Sequence, residues 1–268
     1  MKVAAINDLS GFGKCSLVAD IAILSSMGIE VNPVPTAVLT AQTGFSSYFQ
    51  HEMHDMVTKC KEEWEKQEEE FDGILTGYIP SVELADQITE FVDLYKKDNT
   101  VLLVDPVMGD NGKPYANYSD QMLDRIVKLT EKADIITPNF TELCILAGIE
   151  HKKYEIDEIM AIGESVKAKG SKSVIVTGIE ESKDTVCNLV ISDGGTAIIR
   201  SATNGRSYSG TGDLFAASVL GNVLNGHTIK ESVSKAADFI KRSIEATSST
   251  DRNYGVDFEK ILKTREQI

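Results

Sequence analysis

The feature that most constrains the fold is a rhythm. Short runs rich in Val and Ile alternate with longer segments of helical character along almost the whole chain. The strand candidates are residues 2–6, 32–38, 73–76, 101–104, 135–137, 173–176 and 186–192. The helix candidates are residues 16–27, 53–69, 82–97, 120–132, 156–169, 213–225 and 229–244. Parallel neighbours need a long connection, and a helix supplies it. The alternation therefore predicts an α/β fold: a mostly parallel central sheet with helices on both faces. One stretch breaks the rhythm. Asp193-Gly194-Gly195 separates two β-prone runs, 188–192 and 196–201, and reads as an antiparallel hairpin added late to the sheet. The chain has 268 residues, 42% of them hydrophobic. That suffices for one large core, and with no repeat or linker in sight residues 1–268 read as a single domain.

Charge removes several classes of partner. The formal net charge of −14 argues against nucleic acid, whose phosphates are held by clustered Lys and Arg. It leaves room for a single nucleotide, which backbone N–H groups and a metal ion can hold. No stretch approaches the ~20 apolar residues of a membrane helix. The first residues run into Asn7 and Asp8 without a signal-peptide pattern, so a cytoplasmic chain is expected. Cys15, Cys60, Cys144 and Cys187 form neither a Cys-x-x-Cys pair nor a zinc spacing and read as reduced thiols.

Ligands of open α/β sheets sit beyond the carboxyl ends of the strands. The residues at those places are Asn7, Asp8 and Ser10, then Thr76, Gly77 and Tyr78, then Asp105, Thr137 to Glu142, and Thr177 with Gly178. The sharpest local signal is Ser209-Gly210-Thr211-Gly212-Asp213, followed by an almost wholly apolar helix. A buried helix N-terminus presents unpaired N–H groups and the positive end of a dipole, which suits an anion. Asp213 reads either as part of that site or as an ordinary helix cap. Asp105 and Glu142, both near strand ends, are spaced to hold a hydrated Mg²⁺ beside a phosphate, and Glu142 reads equally as an acidic first-turn residue. Gly11-Phe12-Gly13-Lys14-Cys15-Ser16 looks like a P-loop but fails it. Asp8 stands where the first glycine is needed, and Cys15 where Ser or Thr must follow the lysine. The four histidines lie away from these positions.

Taken together, the motifs resemble one family. Gly210-Thr211-Gly212-Asp213 resembles the ribokinase-superfamily signature. Asp105-Pro106-Val107-Met108-Gly109 is similar to a run in its vitamin kinases, Thr137-Pro138-Asn139-x-x-Glu142 to its Pro-Asn-x-x-Glu motif, and Gly77-Tyr78 to a turn of pyridoxal kinases. The resemblance spans about residues 2–244. It implies ATP-dependent phosphorylation of a B6 vitamer, with Asp213 as general base and the N–H groups of Gly210, Thr211 and Gly212 cradling the transferring phosphoryl. Asn139 and Glu142 would position phosphate and Mg²⁺, Asp105 would join the cation site, and Thr177 and Gly178 would line the ATP phosphates. Val38, Thr43 and Tyr78 match the vitamin side. Asp8 stands where such kinases carry a serine, with Ser10 two residues on, and Gly44 where a glutamine often stands. An anionic Asp8 leads to the expectation that an amine-bearing vitamer is preferred. The resemblance further implies a homodimer and leaves room for a monovalent cation such as K⁺. Residues 37–43 also resemble hydroxymethylpyrimidine kinases, which keeps that substrate as the alternative. Residues 202–207 and 236–240 are candidates to cover the adenine.

Overall fold

The computed structural model describes residues 1–263. Its main sheet has nine strands in the order β11-β10-β9-β8-β5-β4-β1-β2-β3. In chain order these are β1 (Lys2–Ser10), β2 (Glu30–Leu39), β3 (Gln50–Glu52), β4 (Gly73–Thr76), β5 (Val101–Val104), β8 (Ile135–Ile136), β9 (Ser173–Ser182), β10 (Thr185–Ser192) and β11 (Gly195–Ala202). The six strands from β9 to β2 run parallel, while β3 at one edge and β10 and β11 at the other are antiparallel. A separate two-stranded ribbon, β6 (Gly109–Asp110) and β7 (Lys113–Pro114), projects after β5.

The nine helices are α1 (Ser16–Ser26), α2 (Met56–Lys66), α3 (Val82–Tyr95), α4 (Asp120–Glu131), α5 (Phe140–Ala147), α6 (Ile156–Lys167), α7 (Thr211–Leu224), α8 (Ile229–Ala246) and α9 (Phe258–Leu262) among the described residues. They cover both faces. Helices α2 to α6 pack with Ile6, Ile74, Leu102, Val104, Val174 and Val176. On the other face α1, α7, α8 and α9 pack with Val3, Leu75, Leu103 and Ile175. Successive strand residues thus bury into opposite layers, which is why the parallel strands read as unbroken apolar runs rather than alternating ones.

The late hairpin is present with Ser192 opposite Gly195. Gly195 takes a φ of +102°, which the tight turn asks of a residue without Cβ. Helix ends follow local chemistry: Asn139 with Glu142, and Thr228 with Glu231, close capping boxes, and Gly148 ends α5 in the left-handed region.

Three differences from the sequence reading bear on the site. β1 does not stop at residue 6 but carries Asn7 to Ser10 within the strand. Its pairing with β2 jumps from Asn7 opposite Pro35 to Leu9 opposite Val38, so β2 bulges beside Asp8. The edge strand Gln50–Glu52 and the 109–114 ribbon were not expected, because each is short and polar and pairing alone defines it. β9 continues six residues past 176, to Ser182.

Candidate active site

All six parallel strands deliver their carboxyl ends to one edge, and there a cleft of about 1300 Å³ opens. Asp8, Ser10, Thr43, Tyr78, Asp105, Asn139, Glu142, Thr177, Gly178 and the whole Gly210–Asp213 turn line it. Val38 does not. It sits on the outward side of β2, 39% exposed, and its neighbour Leu39 lines the cleft. The bulge in β2 shifts the strand's phase by the time it reaches the site, and phase decides which residue faces in.

Gly210 is the N-cap of α7 and has φ +80°. A Cβ there would lie 2.6 Å from the Lys14 carbonyl oxygen, so only glycine fits between the two loops. At Gly212 the same test finds only Asp105 Oδ2, at 3.7 Å, so this glycine faces open space toward the acids. The first N–H groups of α7 have no carbonyl one turn back to bond, and they open into the cleft. Asp213 is the third residue of this helix and not its cap. Asn7 Nδ2 donates to its Oδ1 at 3.2 Å. Burial pushes its carboxyl up to about 6, against the pull of the Ser16 N–H and the Asn7 amide.

Asn7 is itself locked. Its Oδ1 accepts the N–H of Asp8 at 3.0 Å and of Tyr78 at 2.9 Å. Its Nδ2 also donates to Asp20 Oδ2 at 3.1 Å. A Cβ on Gly77 would fall 2.3 Å from that nitrogen, which accounts for glycine ahead of Tyr78.

Across the cleft, Thr137 Oγ1 donates to Asp105 Oδ1 at 2.8 Å. Glu142 is almost fully buried. Its Oε1 accepts the Met108 N–H at 3.0 Å and its Oε2 the Asn139 N–H at 2.8 Å, while the Glu142 N–H donates back to Asn139 Oδ1. The Pro-Asn-x-x-Glu stretch is thus a helix cap as well as part of the cleft wall. Burial raises Asp105 and Glu142, and each acid raises its neighbours further: Asp213 acts on Asp105, and Asp105 on Glu142. Among the described residues no group of three or more His, Cys, Asp or Glu stands ready to hold a metal. Two acids that repel each other in a buried wall are nevertheless a donor set that a divalent cation would relieve, with phosphate oxygens completing its shell.

On the β1–β2 side, Asp8 is 4% exposed. Ser10 Oγ donates to its Oδ2 at 2.8 Å. Burial lifts its carboxyl above the ordinary range, and the Ser16 and Ser10 hydroxyls oppose the rise. Tyr78 stacks on Tyr118 at 6.4 Å and receives a hydrogen bond from Asn117 at its hydroxyl. Thr43 lies exposed at the mouth. On the opposite side, Gly178 N–H donates to Asn188 Oδ1 at 3.1 Å. Residues 202–207 border the cleft together with Ala237, Ile240 and Ile244 of α8.

The false P-loop has a different job. Gly13, Lys14 and Ser16 all have positive φ, at +127°, +51° and +54°. For Lys14 and Ser16 that backbone is strained, and strain of this kind persists only where surroundings enforce it. A late segment supplies the enforcement. Lys14 Nζ reaches Asp257 Oδ1 and Glu259 Oε2, both at 2.9 Å. A Cβ at Gly255 would lie 2.3 Å from the Gly13 carbonyl oxygen. Gln42 Nε2 bonds Ser209 and Asn253, joining the same strap to the loop ahead of α7.

The sequence puts Asn7 and Thr137 at strand ends expected to face a ligand but gives them no specific role, and it singles out no role for Ser16, Asp20 or Asn188. The available signals were slight: an amide closing an apolar strand for Asn7, and a lone acid in the apolar run Leu17–Leu24 for Asp20.

Comparison with known proteins places these features in company. Residues 13–256 match the family model of phosphomethylpyrimidine kinase. A pyridoxal kinase of Histophilus somni is 31% identical over 205 residues, 74% of this chain and 69% of its own. A Bacteroides thetaiotaomicron protein assigned as a phosphomethylpyrimidine kinase, crystallised with pyridoxal, superposes with a TM-score of 0.93 at 32% identity, over 98% of this chain and 94% of its own. The pyridoxal kinase of Leishmania donovani, solved with ADP and pyridoxine, shares the fold with a TM-score of 0.89 at 22% identity, over 97% and 94% of the two chains.

Proposed function

The chain belongs to the phosphomethylpyrimidine kinase family, among its pyridoxal kinases, and on that premise we propose that it transfers the γ-phosphoryl group of ATP to the 5′-hydroxymethyl group of B6 vitamers. The substrates are pyridoxal, pyridoxamine and pyridoxine, and residues 1–268 act as one kinase domain. The observation that carries the reading is Asp213: a carboxylate pushed up to about 6, held by two donors, on the first turn of a helix whose free N–H groups share its cleft.

In this reading Asp213 accepts the proton of the vitamer hydroxyl as that oxygen bonds to the γ-phosphorus. The bond from γ-phosphorus to the β-bridging oxygen breaks, and ADP departs. A base with a pKa near the working pH is the efficient choice. The N–H groups of Gly210, Thr211 and Gly212 face the equatorial oxygens, where a fixed array of donors stabilises charge as it develops. Asp105 and Glu142, with Asn139 behind them, would hold Mg²⁺, which when bound supplies neutralisation of phosphate charge. Thr177 and Gly178 line the polyphosphate. Residues 202–207 and α8 cover the adenine. Asp8, Ser10, Thr43 and Tyr78 orient the vitamer, and the Asp8 carboxylate favours an amine-bearing one.

The family's own description, and that of the Bacteroides thetaiotaomicron neighbour, favour hydroxymethylpyrimidine as the second reading. The test is ATP consumption with Mg²⁺ against pyridoxal, pyridoxamine, pyridoxine, hydroxymethylpyrimidine and ribose. Turnover on the vitamers is expected, pyridoxamine fastest. Turnover confined to the pyrimidine or the sugar would replace the substrate and keep the mechanism. The same proposal includes a cytoplasmic homodimer, checked by light scattering and fractionation. It also includes a monovalent cation such as K⁺, checked by exchange for a tetraalkylammonium salt.

A further inference from the structure

Asp20 lies outside the cleft wall, beneath it, on α1. It is 1% exposed, as is Asn7. Among the described residues no basic side chain pairs with it. Its Oδ2 accepts from Asn7 Nδ2 at 3.1 Å, and its Oδ1 is buried without a hydrogen-bond partner. A buried acid with one oxygen unserved is costly to place in a core, so a structural purpose alone is a poor account of it.

The Asn7 amide gives a better one. Its oxygen faces two backbone N–H donors, those of Asp8 and Tyr78, and its nitrogen faces two carboxyl oxygens, one from Asp20 and one from Asp213. Rotating the amide by half a turn would set oxygen against both acids and nitrogen against both N–H groups, and all four bonds would be lost. One orientation therefore excludes the other. Remove Asp20, and the amide keeps its orientation through the other three bonds, but one of its hydrogens loses its acceptor and its nitrogen is held by Asp213 alone, so the amide and the Asp213 carboxylate can shift together. We propose that Asp20 is a positioning residue that acts through Asn7 to fix the orientation of the Asp213 carboxylate. Burial first, and the Asp213 charge second, push Asp20 well above the ordinary carboxylate range. Asn matches Asp in shape, and its Oδ1 can present the same acceptor to Asn7.

This inference rests on Asp213 being the base of the proposed kinase, and its test has one arm that needs no substrate. Crystal structures of Asp20→Ala and of the unaltered protein should differ at Asp213, with its carboxylate displaced and its bond to the Asn7 amide lengthened or broken. The kinetic arm uses the best substrate of the panel above. Asp20→Ala should lower kcat by about ten- to a hundredfold, the scale of a misplaced catalytic group. KM for ATP and for the acceptor should stay put, and Tm should hold or rise. Asp20→Asn should recover most of kcat. An Asp213 that keeps its place and its bond in Asp20→Ala overturns the inference whatever the substrate proves to be. So does a kcat loss that tracks a fall in Tm and is not rescued by Asp20→Asn. An unaltered protein inactive on the whole panel overturns the proposed reaction instead, and the crystallographic arm still decides the role of Asp20.

Discussion

At the β1 end of the cleft the polar side chains facing the reacting position are tied to one another across distant parts of the chain. Asn7 joins Tyr78, Asp20 and Asp213, and Thr137 holds Asp105, 32 residues away. At the β9–β11 end the loop 203–206 is shaped largely by short-range bonds, with Thr203 N–H to the Asp184 carbonyl and Arg206 Nη1 to the Thr247 carbonyl as longer ties. Gly205 N–H donates to Thr203 Oγ1 and Arg206 N–H to Asn204 Oδ1, each two residues along, and residues 204–207 are exposed. The difference matches what each end is proposed to hold. Phosphoryl transfer is sensitive to displacement of the reacting groups, so the donors and the base are braced from several elements. Adenine and ribose need surface more than registration, and an exposed loop on a rigid scaffold provides it.

The largest effect that would sharpen this contrast is at the braced end. Asp213→Asn should lower kcat by roughly 10²–10⁴-fold, the range of a lost general base, while calorimetry finds ATP binding intact. Near-normal turnover would leave Asp213 a first-turn acid and nothing more. Next comes the acid limb. Asp213 acts when deprotonated, and its raised pKa of about 6 means kcat/KM rises with pH through that region and falls about tenfold per unit below it. A profile flat down to pH 5 would show the proton goes elsewhere. The smallest effect lies at the other end. Asn188→Ala deletes the partner of the Gly178 N–H. The loss of about 1 kcal/mol should raise KM for ATP about fivefold with kcat unchanged. A fall in kcat instead would break the division between the two ends.

Legibility divides along the same line. The β10–β11 hairpin was plain in the sequence, because Asn188-Leu189-Val190-Ile191 and Ala197-Ile198-Ile199 flank a turn that only glycine-rich sequence makes well. The parallel strands were plain because both faces are buried. The Gly210–Asp213 turn stood out because two glycines precede an apolar helix. Asn7 to Ser10 read as loop, since a strand that carries buried polar groups into a site has the composition of one. Val38 comes from the resemblance alone, and the sequence does not display the bulge in β2 that leaves Leu39 and not Val38 lining the cleft. Asp20 passed unnoticed inside a helix judged by its apolar neighbours. Its meaning depends on Asn7 and Asp213, 13 and 193 positions away, and proximity of that kind belongs to the fold.

The strap from Lys14 to Asp257 spans 243 positions of sequence, and that span has a temporal consequence. A ribosome delivers all eleven strands and the first eight helices before it delivers Asp257. During that interval the strained turn at Gly13 to Ser16, with the Ser16 N–H aimed at Asp213, lacks the contacts that hold it. Contacts so far apart close late and slowly. The nascent chain thus has its sheet and its anion-cradling helix available before the contacts that hold the turn beside Asp213, and those contacts belong among the last to close.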